Sequence, residues 1–386
     1  MCRTIRCLRD SGFEVFTVDR DPNSPGYKYS SGFAVINITD VQGIVNYAKE
    51  INADLILPVN DWGVLPAAIA SQELKLPGLP VEVAKQCVNK GLMRACWEHA
   101  GIAQPSFHVC RAVAQAREAA GSIGYPVVLK PTESCGSRGV TVARTVDDVE
   151  NSFEFALAHS TTGEVIVEGQ MVGTEFSIEG VVREGEPIIL TRADKRLQAD
   201  GRYCVTMELN YPAEMSASDQ QLLDEAVTRC VQALGIHCGV FHAEFIQQDD
   251  QFLPLEIAAR GGGGHIFGEI VEQATGIPMP AVVAKLLLSL PVDISSTKQK
   301  AVCYRFFAIQ HLASGVDALV AEATRMSGIV DIGYDSKTQF GGDPIRSGAD
   351  RPGFVVSVGD SRGQAYDQAS SAIDLISTGE VATDAI

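Results

Sequence analysis

The chain is short of basic residues: 31 Lys and Arg stand against 48 Asp and Glu, a formal net charge of −17. So acidic a protein lacks the broad basic face that a nucleic-acid backbone requires, and nucleic acid is not an expected partner. Long apolar runs are missing as well, with none near the roughly 20 residues that cross a bilayer. No signal-peptide pattern opens the sequence, so no membrane partner is expected and a cytoplasmic location is. Ten cysteines are present, but none form a CxxC pair or a Cys/His group at zinc-ligand spacing. They read as reduced, mostly small core residues. A GxxxxGK[ST] phosphate loop is absent too, as are internal repeats and low-complexity tracts.

What is present is an ordinary globular composition, 46% apolar and 20% charged over 386 residues, long enough for two or three domains. The fold class reads as mixed α/β and α+β. Over residues 1–84 the short β-rich runs "EVFTVD" (14–19), "FAVINI" (33–38) and "LILPVN" (55–60) alternate with helical stretches at 41–51 and 63–74. That alternation predicts a doubly wound parallel sheet. The opening "CRTIRCLRDSG" resembles the first crossover helix of such a sheet without its usual first strand. Residues 85–295 mix helices and hairpins, with a smaller subdomain at about 110–180. One helix is expected across "VEVAKQCVNKGLMRACWEHAG" and another at 217–235, while 296–386 reads as a small α+β lid.

Two stretches carry chemistry. "VFHAEFI" (240–246) and "FLPLEIAAR" (252–260) flank the polar turn "QQDDQ", which predicts a hairpin. Only one register keeps the apolar residues together, with Phe245 opposite Leu255, Ala243 opposite Ile257 and Phe241 opposite Ala259. It forces Glu244 opposite Glu256 and His242 opposite Ala258 on the other face. Opposed like charges are destabilising. Either one acid is protonated, or both point into solvent, or divalent cations lie between them. Oxygen ligands at this spacing suit Mg²⁺, and Arg260 nearby suits a phosphate.

"VVLKPTESCGSRGV" (127–140) is the second stretch. Lys130 ends a strand, and the loop after it offers backbone N–H groups at Gly136, Ser137 and Gly139 that can turn toward an anion. An ordinary turn between strands has the same pattern. Cys135 in that loop is a bystander or an alkylation-sensitive thiol. Glu168, Met171 and Glu175, in "EVIVEGQMVGTEFSIEG", could serve an adenine edge and ribose hydroxyls or belong to a plain hairpin.

Taken in order, Lys90, "YPVVLKP…GSRGV", "VIVEGQMVGTEFSIEG" and "FHAEF…LPLEIAARGGGG" resemble the ATP-grasp superfamily of carboxylate–amine ligases. The branch with biotin carboxylase, carbamoyl phosphate synthetase and the L-amino acid ligases is the nearest in kind. The resemblance implies an ATP-grasp fold with an N-terminal pre-ATP-grasp domain, and ATP with Mg²⁺, or Mn²⁺ in its place. Lys90, Lys130 and the Gly136–Gly139 loop would contact phosphates. Glu168 and Met171 would hold adenine, Glu175 the ribose, and Glu244 and Glu256 the metal. Arg260 and Lys130 would be the catalytic cations.

The family commonly has Asn where this chain has Ala258, two residues after the second metal acid. "TRADKRLQADGRYCVTMELNYP" (191–212) reads as a loop beside the substrates, making Lys195 and Glu208 candidates, with His265 a third. The function implied is ADP-forming coupling of a small carboxylate to an amine. Bicarbonate activation through carboxyphosphate and nucleotide binding without turnover stand as alternatives. Small-molecule substrates and a homodimer are the expected partners.

Overall fold

The structure, a computed structural model, describes residues 2–198, 203–307, 315–334 and 345–378. Its strands are β1 (Phe16–Asp19), β2 (Gly32–Val35), β3 (Phe107–Cys110), β4 (Val127–Pro131), β5 (Thr141–Ala143), β6 (Val165–Gly169) and β7 (Thr174–Arg183). Then come β8 (Glu186–Leu197), β9 (Thr206–Tyr211), β10 (Gly239–Gln248), β11 (Gln251–Ala258), β12 (Ala301–Phe306), β13 (Ile329–Tyr334) and β14 (Gly353–Gly359).

They form three sheets. β1 and β2 pair in parallel, β3-β6-β4-β5 form a four-stranded sheet, and β11-β10-β7-β8-β9-β12-β14-β13 an eight-stranded one. The β1–β2 pair is parallel, as expected at the N-terminal end, but among the described residues it is a two-stranded pair and not a larger doubly wound sheet. The third expected strand there, 55–60, is not one. Pro58 has no N–H to give a ladder, and Ile56 and Leu57 are instead packed against separate apolar clusters. Helix Cys2–Asp10 is the first described element. From the segment expected as a lid, β12, β14 and β13 are hydrogen-bonded into the large sheet.

Local chemistry sets the helix boundaries. The single helix expected from residue 81 is two, Val81–Val88 and Lys90–His99. Asn89 between them is extended, and its side chain accepts from the Leu92 N–H as the cap of the second. That break puts Lys90 at a helix start, its N–H donating to Thr132 O at 2.8 Å. Helix Ala217–Ala233, capped by Ser216, packs Leu223, Val227, Cys230 and Val231 against one face of the large sheet, where Phe176, Phe241, Phe245 and Ile257 meet it. The opposite face carries the acids.

Candidate functional site

The β10–β11 ladder pairs His242 with Ala258, Ala243 with Ile257 and Glu244 with Glu256, as the apolar alternation predicts. Beyond Glu244 the register slips by a bulge, and Phe245 faces Pro254 rather than Leu255. Pro254 cannot donate to the ladder, and a bulge is where a strand tolerates that. The expected Phe241–Ala259 pair lies past the end of the ladder. The bulge leaves the Pro254 and Leu255 carbonyls to Arg94, whose guanidinium donates to them at 2.6 and 3.3 Å.

Neither acid of the pair is left without a cation. Glu244 Oε1 lies 3.0 Å from Lys195 Nζ, which also meets Glu175 Oε2 at 3.0 Å. Glu256 Oε2 lies 3.2 Å from Lys90 Nζ. Burial pushes Glu244 up, but Lys195 and His242 outweigh it and hold the carboxyl below the usual range. Burial lowers Lys195, while Glu244 and Glu175 more than restore it, so both stay charged. The side chains of Glu244 and Glu256 are 30% and 26% exposed, so a ligand can reach both.

Sheet alternation fixes what else shares this face. Glu175, Ser177 and Glu179 on β7 pair with Ile246, Glu244 and His242 on β10, and Glu175 with Lys195 on β8. Glu208 is not with them. The stretch expected as a loop is β8 through Leu197 followed by β9, and Lys195 pairs with Leu209 while Arg196 pairs with Glu208. Glu208 is therefore on the other face, within 3.5 Å of Arg196 and Arg305, with Asn210 donating to it. Arg202 lies outside the described residues.

The four-stranded sheet brings the second group. Lys130 and Glu168 share a face of the β4–β6 pair, and Lys130 Nζ lies 2.7 Å from Glu168 Oε2. Arg94 Nε donates to Glu168 Oε1 at 2.8 Å. Glu168 is 2% exposed; burial raises its pKa, but the two cations hold it down to about 2. Its carboxylate is thus taken up by two cations, and Met171, two residues past the end of β6, is partly buried. Burial, with Arg94 and Lys90 close by, lowers Lys130 despite Glu168. Among the described residues, the three buried cations here form ion pairs with Glu168 and Glu256 alone, a charge balance that favours an incoming anion.

The loop after β4 has the left-handed backbone an anion nest needs, with Gly136, Ser137 and Gly139 at φ +66, +60 and +76. Lys90 Nζ donates to Ser134 O at 2.6 Å, Ser137 Oγ to Cys204 O at 2.6 Å, and Gly348 N–H to Gly136 O at 3.0 Å. Burial raises the Cys135 thiol pKa, which argues against the alkylation-sensitive reading.

Arg260 is buried and paired twice with Asp61, Nε to Oδ1 at 3.0 Å and Nη2 to Oδ2 at 2.9 Å. Three of the four glycines after it lie close against side chains of the helical turn that follows or of the sheet. A Cβ on Gly261 would stand 2.0 Å from the Phe267 ring, on Gly262 2.7 Å from Glu179 Oε1, and on Gly264 2.6 Å from the Tyr304 hydroxyl. The run takes His265 away from Glu244, to a cluster with Glu269 and Asp331 at 3.5 and 3.4 Å, which Arg3 also joins. Among the described residues this is the one trio of metal-type donors drawn together within 4.8 Å. An open groove of about 480 Å³, lined in part by Arg192, Lys298 and Arg362, includes none of the acid-pair residues.

Sequence reasoning missed Asp61, Arg94 and Glu179, and gave His242 no role. Two signals were available. Arg94 is four positions after Lys90 on one helix, and Glu179 four after Glu175 on one strand face.

Residues 123–269, which hold Lys130, both acids and Arg260, match the family described as the ATP-grasp domain. The chain carries an ATP-grasp domain. It is 27% identical to a formate-dependent phosphoribosylglycinamide formyltransferase of Corynebacterium efficiens, over 94% of this chain and 89% of that protein. Its fold is shared with an L-amino acid ligase from Bacillus licheniformis, with TM-score 0.81, 19% identity, and 96% and 95% of the two chains covered. It is shared also with the biotin carboxylase domain of Hydrogenobacter thermophilus 2-oxoglutarate carboxylase, a structure with MgADP and bicarbonate. That likeness has TM-score 0.75 at 16% identity, over 99% and 88% of the chains. No helix among the described residues is long and apolar enough to cross a membrane.

Proposed function

We propose that the protein is an ATP- and magnesium-dependent ligase that joins a small carboxylate to an amine and releases ADP and phosphate. The observation that carries this reading is the opposed Glu244–Glu256 pair, each acid held by a lysine, within an ATP-grasp domain. The donor set fits magnesium: two carboxylates, each ion-paired to a lysine and partly exposed, on one sheet face. Glu244 and Glu256 would hold the metal, whose charge draws in the nucleotide phosphates.

The chain's own groups do the rest. Lys90 and Lys130, with the backbone of Gly136, Ser137 and Gly139, bind phosphate oxygens. Glu175 takes the ribose, and the backbone near Met171 the base. A substrate carboxylate oxygen attacks the γ-phosphorus and ADP leaves, giving an acyl phosphate. Arg260, pre-aimed by Asp61, stabilises the charge on the transferred group. The amine nitrogen then attacks the acyl carbon, phosphate leaves with its electron pair, and the amine loses a proton to form the amide. Lys195, which lies between Glu244 and Glu175, would meet the carboxylate substrate. The stretch around Gly348, whose N–H donates to Gly136 O, is read as cover for the phosphate-binding loop.

The test is magnesium-dependent ADP formation with pools of amino acids, other small carboxylic acids and bicarbonate, with Glu256→Gln as control. Stimulation of the wild type by a carboxylate pool, and not of the variant, supports the ligase. Stimulation by bicarbonate alone moves the chemistry to carboxyphosphate. ATP binding without turnover in any pool leaves a nucleotide-binding protein.

A further inference from the structure

Ala258 and His242 are directly opposed in the β10–β11 ladder, two residues from the Glu244–Glu256 pair and on the same face. Ala258 has no side-chain donor atom to offer a cation. His242 faces it across the strands and is itself built into a chain of carboxylates. Its Nδ1 lies 2.5 Å from Glu179 Oε1, and its Nε2 lies 3.5 Å from Glu244 Oε1. Glu179 is fully buried, and its second oxygen accepts from the Gly262 N–H at 3.1 Å. Ser177 Oγ approaches the first at 3.4 Å. The carboxylate is therefore fixed from three sides, and the imidazole ring plane is fixed by it.

A histidine that binds a metal through one ring nitrogen ordinarily gives its other N–H to a carboxylate, which sets tautomer and orientation. Glu179 and His242 have that arrangement, and the other ring nitrogen, Nε2, is turned to the acid expected to hold metal and would give up its proton to take a cation. We propose that His242 Nε2 is a ligand of the cation bound by Glu244, supplying the donor that Ala258 lacks. The inference rests on reading Glu244 and Glu256 as metal acids. It makes the centre a mixed nitrogen–oxygen one, and its metal preference follows. Magnesium takes oxygen ligands, whereas Mn²⁺ and Co²⁺ accept imidazole readily, so Mn²⁺ binds here more tightly than Mg²⁺.

The experiment loads the full chain with Mn²⁺ and a non-hydrolysable ATP analogue and records pulsed electron paramagnetic resonance, with histidine unlabelled and ¹⁵N-labelled. A directly bound imidazole nitrogen gives a coupling that changes with the isotope. The result expected is that coupling in the wild type, its loss in His242→Gln, and Mn²⁺ binding weakened by about 10–100-fold in the variant. The wild-type isotope effect needs no variant, so a His242→Gln chain that fails to fold does not remove the test.

Tight Mn²⁺ binding without nitrogen coupling overturns the inference and leaves the two metal acids standing. Coupling that survives His242→Gln and vanishes in His265→Gln also overturns it, moving the metal to the His265–Glu269–Asp331 cluster. No Mn²⁺ uptake in the wild type, even with the nucleotide, overturns both this inference and the proposed function.

Discussion

Arg260 is held by Asp61 through two hydrogen bonds, although the residues stand 199 positions apart. Burial raises the Asp61 pKa, but Arg260 outweighs it and keeps the carboxyl ionised below its usual range. The arginine proposed to neutralise a transferred phosphoryl group is thus aimed by a residue from the N-terminal part of the chain.

Replacing Asp61 by Asn keeps the volume and removes the charge. Turnover is expected to fall by about 10- to 100-fold, as displacement of a charged group by about an ångström does. The KM for ATP should change little. Stability should drop by about 1–3 kcal/mol from the weakened buried pair. Steady-state kinetics and thermal unfolding of the variant check both.

Glu168 is an electrostatic keystone between Arg94 and Lys130. Its folded-state pKa is lowered from 4.5 to about 2, so its contribution is present above the unfolded value and is lost as pH falls toward 2. Removing one partner of a buried ion cluster costs about 3–5 kcal/mol. Glu168→Gln should lower the melting temperature at pH 7 and lose less stability than the wild type between pH 4.5 and 2. Denaturant unfolding across that range measures it.

His242 works in the opposite direction. Burial lowers its pKa, but Glu179 and Glu244 raise it overall, from 6.5 to about 9. A raised value gives stability that is full below 6.5 and is lost as pH climbs through 9. Metal-free protein is expected to lose stability across that window, and His242→Gln is expected not to. Proton NMR of the His242 ring in metal-free protein should show it still charged at pH 8.

Gly262 has no room for a methyl group. The added Cβ would stand 2.5 Å from Ile266 Cγ2 and 2.7 Å from Glu179 Oε1. Gly262→Ala should destabilise by about 1–3 kcal/mol, as overpacking does. It should also lower turnover by moving the backbone between Arg260 and Glu179. A variant with unchanged melting temperature and turnover would contradict the close packing described.

The hairpin register was legible because two alternating strands and one short turn leave a single way to bury Ala243 and Ile257 together. The bulge was not, since it depends on Pro254 and on Arg94, which arrives from 160 residues away to take the Pro254 carbonyl. The Glu168 cluster and the Asp61–Arg260 pair were hidden for the same reason: their partners lie 74 and 199 positions off in the chain. Glu208 was misplaced because a polar, glycine-containing stretch read as a loop. Most of it is two strands, and strand alternation puts Lys195 and Glu208 on opposite faces. Local pattern reports periodicity and caps; it does not report which distant charges meet.

The most direct measurement follows oxygen. Amino acids, small carboxylic acids and bicarbonate labelled with ¹⁸O in the carboxylate are incubated with enzyme, ATP and magnesium, and the phosphate released is weighed by mass spectrometry. An acyl phosphate whose acyl carbon is attacked by an amine must leave one substrate oxygen in the phosphate, so singly ¹⁸O-labelled phosphate is the result expected. Phosphate without ¹⁸O, its fourth oxygen taken from water, or no phosphate released above the blank, would contradict the account.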